Sequence, residues 1–276
     1  MTRYSVNTFL KCSSPNEMDF MLGVSNLFMQ DFVDTTKDYH VFKIKKRKGG
    51  FREIQAPNKE LKRVQKRLAE ILKEVYQIQS HRCCFGYIGN SIVENAKCHI
   101  GKRQVLNMDI KNFYASIKKG TISNVFKLKP FGFPDSVVRF LTEITCRDHL
   151  PTGAPTSPVM SNIVCWWLDE QLNNLAKEND LVYSRYVDDL TFSGGDIEKY
   201  KFSENVKKIL EKFELNLNEK KTRLHAQSSR QMVTGITVNE KPNINRKYIR
   251  KVRSELYQLN TFPDKVNEKR LKIIEG

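Results

Sequence analysis

The chain has 276 residues, enough to bury a substantial core in one large domain or two small ones. Lysine and arginine number 47 against 31 acidic residues, so the net charge is +16 and the pI is near 9.5; that excess suits a polyanionic partner, or else is a solvated basic surface. No run of about 18 apolar residues occurs, and the N-terminus lacks a signal peptide's charged start, apolar stretch and cleavage site, so the expectation is no membrane partner and a cytoplasmic chain with reduced thiols.

In chain order, residues 1–35 are mixed, with an apolar, helix-like segment around Phe20 to Phe32. Val41 to Ile54 reads as a β-hairpin with Lys45-Lys-Arg-Lys-Gly-Gly50 as its basic tip. Asn58 is placed to cap a helix running to about Gln79. Its apolar stripe is Leu61, Val64, Leu68, Ile71, Leu72 and Val75, with Lys62, Arg63, Lys66 and Arg67 off the stripe. Ser157 and Pro158 read as the cap and first turn of a helix. Met160, Ile163, Val164, Trp167, Leu168, Leu172 and Leu175 give that helix its spacing. Ser203 to Phe213 predicts a further helix, burying Val206, Ile209, Leu210 and Phe213. Leu215-Asn-Leu217 and Met232 to Val238 read as strands. Asn245 caps a last helix carrying Ile249, Val252, Leu256 and Leu259, and Leu271, Ile273 and Ile274 suggest another apolar face after it. His81-Arg-Cys-Cys84 and Cys98-His99 match no common zinc spacing, and buried free thiols are the better reading.

Chemistry concentrates at two acidic sites. Tyr186-Val-Asp-Asp189 lies between two apolar, β-prone stretches. Asp-Asp makes a poor hairpin tip, because tight turns need positive φ and adjacent anions repel each other. A metal site explains the pair better than an ordinary acidic turn. Asp109 follows a second strand-like run, Val105 to Met108, with aromatics four and five residues later. Three carboxylates converging at one sheet end suit two hard divalent cations, the arrangement that stabilises attacking and leaving oxygens in phosphoryl displacement.

These sites fall in a longer ordered series. Phe51-Arg-Glu-Ile-Gln-Ala-Pro57, Asp109 to Ile117, Leu150-Pro-Thr-Gly-Ala-Pro-Thr-Ser-Pro-Val-Met-Ser-Asn162, Tyr186 to Asp189, Leu215 to Arg223 and Val233-Thr-Gly235 run along nearly the whole chain. In that order they resemble the fingers motif, first palm motif, template and nucleotide loop, polymerase signature, following strand and primer grip of reverse transcriptases. Asn95-Ala-Lys-Cys-His99 and Val233-Thr-Gly235 resemble signatures of the retron type. The resemblance implies an α+β right-hand polymerase fold: fingers, a ferredoxin-like palm with an antiparallel sheet backed by helices, and a short helical thumb. The expected divisions are residues 1–104 for the N-terminal segment and fingers with part of the palm framework, 105–240 for the palm, and 241–276 for an abbreviated or truncated thumb.

The resemblance also implies roles. Asp109, Asp188 and Asp189 are the expected catalytic ligands of two Mg2+ ions (Mn2+ as substitute), with Asp189 more peripheral and the carbonyl of Ile110 facing a metal. Arg52 matches the arginine that grips the triphosphate through its forked donors, with help from Lys45, Lys46 or Lys48. Tyr114 matches the steric gate that excludes a 2′-hydroxyl, and Phe113 beside it reads as core. Gly153 matches a glycine where backbone approaches substrate. Thr152 stands where many relatives carry a Gln that contacts the nucleotide sugar. Lys221, or Lys220 beside it, matches the lysine approaching the phosphates. Asn95 and His99 either contact RNA or form a buried hydrogen-bonded pair. Thr234 and Gly235 fall in the primer grip. Lys247, Arg250, Lys251 and Arg253 make the last helix basic, fit for an RNA stem or minor groove, or merely solvated.

The expectation is thus an RNA-directed DNA polymerase of the retron type. It would copy a dedicated structured non-coding RNA, serving as template and primer, into a branched RNA–DNA product. The resemblance adds phage defence with an effector protein encoded nearby. Two rivals remain: another bacterial reverse transcriptase, group II intron-like or defence-associated, and a scaffold bound to RNA or to the RNA–DNA product that restrains an effector.

Overall fold

The computed structural model describes residues 6–23, 38–46, 49–79, 82–87 and 89–261. Helices α1 (Val6–Leu10) and α2 (Pro15–Leu22) precede the hairpin β1 (Tyr39–Lys45) and β2 (Phe51–Pro57), the long α3 (Lys59–Gln79) and the short α4 (Ile92–Lys97). Strand β3 (Gln104–Asp109) leads into α5 (Phe113–Ser116), α6 (Lys119–Lys127), α7 (Asp135–Thr145), α8 (Ser157–Val164) and α9 (Trp166–Glu178). After these come β4 (Val182–Tyr186), β5 (Asp189–Gly194), α10 (Lys199–Lys212), a 3-10 turn at Glu219–Lys221 and β6 (Arg223–Ala226). The hairpin β7 (Met232–Val233) and β8 (Ile236–Thr237) and helix α11 (Arg246–Thr261) close the order.

The site is positioned by a four-stranded antiparallel sheet in the order β4-β5-β3-β6. Side chains alternate across a strand, so each strand has two separate duties. Leu106 and Met108 point to the helix-covered face, in register with Phe192 and Leu190. There Tyr183 stacks on Phe192 with ring centroids 4.9 Å apart, and Phe202 of α10 meets Phe192 edge-on, also at 4.9 Å. Val105, Asn107 and Asp109 point to the opposite face. At one end of that face Val105 joins Ala96, Val233, Ile236 and Val238 in a small second core under α4 and the β7–β8 hairpin. At the other end Asp109 lies at the floor of a cleft.

Helix α3 forms as its stripe predicts. Asn58 Oδ1 accepts from the Leu61 amide at 2.9 Å, and Leu61, Val64, Leu68, Leu72 and Val75 are buried. This helix ties the β1–β2 hairpin to the helical layer, because Gln65 donates to both the Tyr39 hydroxyl and the Ile144 carbonyl at 2.8 Å. Cys84 bridges β4 at Arg185, and α4 packs on β4, β7 and β8, so both are built onto the sheet.

Several expectations change. The helix starting at Ser157 breaks at Cys165 and resumes as α9. The break shifts the phase, so Trp167 is 59% exposed while Trp166 packs on Tyr76. The Ser157 hydroxyl donates to the Pro151 carbonyl at 2.6 Å rather than capping the helix. Leu215 to Leu217 forms only an isolated bridge to Ile110, and β6 follows it instead. Met232 to Val238 folds back on itself as a hairpin, because Thr234 and Gly235 both take positive φ, 47° and 88°. α2 ends at Gly23 with φ 60°, so the described part of the Phe20 to Phe32 expectation stops there and the rest lies outside the described residues. Leu271, Ile273 and Ile274 also lie outside them. Asn245 does cap α11, accepting from the Lys247 amide at 2.8 Å, and no α11 side chain is buried.

Candidate active site

The register of β3 against β5 sets Asp109 directly opposite Asp189. β4 and β5 are joined through the two residues Val187 and Asp188, so the turn places Asp188 beside that pair. The Ile110 amide donates to the Asp188 carbonyl at 2.9 Å, tying the turn to the end of β3. The turn keeps positive φ at its first central residue, but Val187 occupies it at 62° where glycine is usual. A β-branched residue there costs about 1–3 kcal/mol of backbone strain, a cost that surrounding contacts must offset.

One ion pair, from Lys221 to Asp109, compensates the three carboxylates only in part. Asp109 is 6% exposed and spends its oxygens on Lys221 Nζ at 2.6 Å and Asn218 Nδ2 at 3.0 Å. Asp188 is raised above the usual carboxylate range, first by desolvation and then by the charge of Asp109. Asp189 is pushed up to about 6 by desolvation in the cleft and by Asp188 and Asp109, although the residue keeps an exposed side. Lys221 supplies the adjacent positive charge. Among the described residues no three His, Cys, Asp or Glu side chains close into a ready cage, since Asp109 is turned onto Lys221 and Asn218. The donor set is nevertheless oxygen-only, crowded and under-compensated, which fits hard divalent cations.

A cleft of about 760 Å³ stands over this floor. Lys46, Arg52, Tyr114, Thr152, Asp109, Ile110, Asp188, Asp189, Asn218 and Lys221 all line it. Arg52 comes from β2 and Tyr114 from α5, where its hydroxyl lies beside Tyr87 and Ser161 and burial raises its pKa. Phe113 is core, at 4% exposure. Lys48 lies outside the described residues.

Other expected site residues sit differently. A Cβ on Gly153 would stand 2.8 Å from the Gln55 carbonyl and 3.1 Å from Ala56 Cα. Its missing side chain therefore admits the strand β2. Thr152 donates to the Glu53 carbonyl at 2.8 Å, so the 152–153 loop docks the strand that carries Arg52. Asn95 and His99 are 1% and 0% exposed, which places neither against RNA. They do not pair with each other either. His99 holds Ser193 at 2.6 Å and Ser184 at 2.7 Å, riveting both strands of the β4–β5 hairpin, and burial lowers its pKa to about 4. Asn95 reaches Thr234 at 3.5 Å, and Thr234 donates to the Ile92 carbonyl at 3.2 Å, so the two retron-like signatures meet in one clamp. Gly235 is exposed at the hairpin tip. Lys247, Arg250 and Lys251 are exposed on α11, away from the cleft lining, with Lys251 3.6 Å from Glu255. Asn218 was not singled out in the sequence, where it is one polar residue within Leu215 to Arg223.

A family described as reverse transcriptase (RNA-dependent DNA polymerase) matches residues 44–238. The retron Mx65 reverse transcriptase of Myxococcus xanthus is 31% identical, covering 82% of this chain and 57% of its own length. Retron Ec83 reverse transcriptase of Escherichia coli is 33% identical, covering 80% of this chain and 75% of its own. Retron Ec86 reverse transcriptase, from the same organism, is 30% identical, with 80% and 70% covered. This chain thus spans little more than half of the Myxococcus relative. Among solved structures, a telomerase from Candida albicans, in complex with a fragment of telomeric RNA, superposes with TM-score 0.53 at 14% identity, over 80% of this chain and 50% of that one.

Proposed function

This chain belongs to the retron-type bacterial reverse transcriptases, and from that premise we propose that it copies a structured RNA into DNA on the floor of the cleft. One observation carries the reading: the sheet register sets Asp109 opposite Asp189, with Asp188 in the adjoining turn, beneath a wall that holds Arg52 and Tyr114. Asp109, Asp188 and Asp189, with the Ile110 carbonyl, would hold two Mg2+ ions, for which Mn2+ can substitute. Bound there, these ions supply charge stabilisation to the attacking hydroxyl and the leaving pyrophosphate.

The chain's own residues do the positioning. Arg52 offers forked donors to the triphosphate, with Lys46 beside it. Tyr114 fills the space under the sugar and disfavours a ribonucleotide. Thr152 holds the Arg52 strand to the palm rather than reaching the nucleotide as a longer Gln would. Lys221, paired with Asp109 here, is placed to meet the phosphates and would be free to do so where that carboxylate held a cation. Thr234 and Gly235 present a turn to primer or RNA, and Lys247, Arg250 and Lys251 offer phosphate contacts whose affinity falls with salt. The wider reading is a non-coding RNA serving as template and primer, a branched RNA–DNA product, and phage defence with an effector encoded nearby. The six free cysteines accord with a reducing cytoplasm.

The test is to express the chain with its native flanking DNA and extract the nucleic acid that co-purifies. It is run on a denaturing gel before and after ribonuclease, beside Asp188→Asn. A ribonuclease-sensitive RNA–DNA conjugate, lost in the variant, is expected. Unbranched DNA would move the chain to another class of reverse transcriptase. RNA without DNA in both samples would leave a scaffold.

A further inference from the structure

We propose that Arg185 is a positioning residue for DNA synthesis: it holds the Val187 carbonyl and so fixes the strained turn that presents Asp188. The inference rests on the polymerase reading above. Arg185 lies in β4 three residues before Asp188, but its side chain points away from the cleft and is fully buried. No substrate can touch it there.

Every donor of its guanidinium is used. Nε and Nη2 meet the two oxygens of Asp169 at 2.8 and 2.6 Å, a forked pair with α9. Tyr183 also donates to Asp169 Oδ1, at 2.9 Å, which fixes that carboxylate in turn. Nη1 donates to Asn162 Oδ1 at 3.0 Å and to the Val187 carbonyl at 3.1 Å. The remaining Nη2 donor meets Cys84 Sγ at 3.2 Å. Five N–H groups find five acceptors, the full capacity of the side chain.

The same network closes the back of the turn. The Arg185 amide donates to the Cys83 carbonyl at 2.8 Å, and the Phe85 amide to the Arg185 carbonyl at 2.9 Å, so residues 83–86 run along β4. Asn162 Nδ2 donates to the Gly86 carbonyl at 2.8 Å. A Cβ on Gly86 would lie 2.9 Å from the Val187 amide nitrogen, so that backbone is pressed against the turn. Val187 at φ 62° has easier conformations available, and reaching them rotates the peptide that leads to Asp188. The tether on its carbonyl prevents that rotation. A buried ion pair is a weak source of net stability, because desolvation offsets most of its attraction, so stability alone does not account for it. Lysine, with three donors on one point charge, cannot reproduce the planar fork.

The test uses the full chain on a primed RNA template, with thermal melting, kcat, KM for deoxynucleotide and half-saturating Mg2+ read together. Arg185→Met combined with Asp169→Leu removes both charges at once, leaving no unpaired buried ion. Because the Tyr183 hydroxyl and the Val187 carbonyl lose their partners, this double variant should melt several degrees lower, and kcat per folded molecule should fall roughly tenfold to a hundredfold, with half-saturating Mg2+ raised severalfold and nucleotide KM little changed. Arg185→Lys should not restore kcat. Gly86→Ala pushes on the turn without touching either charge and should give the same kcat and Mg2+ signature. If both the double variant and Gly86→Ala fold and keep wild-type kcat and Mg2+ dependence, Arg185 is structural only. If the double variant does not fold, Arg185→Lys, which keeps the charge and loses the fork, decides: wild-type kcat and Mg2+ dependence in it would make Arg185 structural only. A wild-type chain that makes no DNA removes the polymerase reading and this inference with it.

Discussion

The two ends of the β4–β5 hairpin treat polar groups in opposite ways. At the far end His99 is buried, uncharged and bonded through both ring nitrogens to Ser184 and Ser193. At the turn, two carboxylates are held above their ordinary pKa by desolvation and by one another, and a valine sits at positive φ. The first end is what a fold does with polar atoms when only stability matters: it pairs them. The second is left under-compensated, and that deficit marks the place where something else must bind. At this hairpin the two kinds of polar residue are told apart by their unmet needs rather than by their motif.

The largest test of that contrast is to remove charge at the turn. Asp109→Asn should lower DNA synthesis roughly a hundredfold or more while the melting temperature holds, which paired activity and melting measurements would check. The reverse pattern is expected at the other end. His99→Phe strands two buried hydroxyls, at roughly 1–3 kcal/mol each, so the melting temperature should fall by several degrees while activity per folded molecule is nearly kept. Equal losses of activity in both variants would erase the distinction.

The pH dependence sharpens it further, because the two ends have opposite signs. His99 is depressed from 6.5 to about 4, so between those values the unfolded chain binds the extra proton. Its contribution, about 3 kcal/mol, is present above pH 6.5 and lost as pH falls to about 4. Asp189 is raised from 3.8 to about 6, so the folded chain binds the extra proton and stability is lost as pH rises through that window. Denaturant unfolding from pH 4 to 7 should show Asp189→Asn steepening the rise with pH and His99→Phe removing it. The smallest effect belongs to the fingers contact. Thr152→Val removes the bond to the Glu53 carbonyl, and nucleotide KM should rise roughly two- to tenfold with kcat unchanged, in steady-state assays.

Much of this was readable from the chain because its signals are local. The Asn58 cap, the α3 stripe, the β1–β2 hairpin and the acidic tip each depend on neighbours a few residues apart. The carboxylate cluster was legible because Asp109 and Asp188-Asp189 each end an apolar strand. What escaped depends on distant partners. Nothing near Gly153 says that β2 will press on it, and nothing near Arg185 names Asp169, sixteen residues earlier on another element. Helix α7 does carry a legible stripe, Val137, Val138, Leu141 and Ile144, whereas Phe126, Phe131 and Phe133 gather by tertiary packing. The break at Cys165 reversed the fates of Trp166 and Trp167 without any glycine or proline to announce it.

The docking of β2 by Thr152 and Gly153 has a kinetic consequence. β1 is exposed from His40 to Lys45, so the ribbon is gripped at Glu53 to Ala56 and projects beyond that grip. From Glu53 to Phe51 is about 7 Å of strand, and a swing of about 10° at the base moves Phe51 by about 1 Å. Arg52 rides on that arm. Its arrival at a triphosphate would then be the stroke of a lever on a fulcrum, a rigid-body event of microseconds to milliseconds, and not the rotamer flip of a lone side chain. Amide hydrogens along β1 should exchange far faster than those of β3, which lies between β5 and β6 in the sheet.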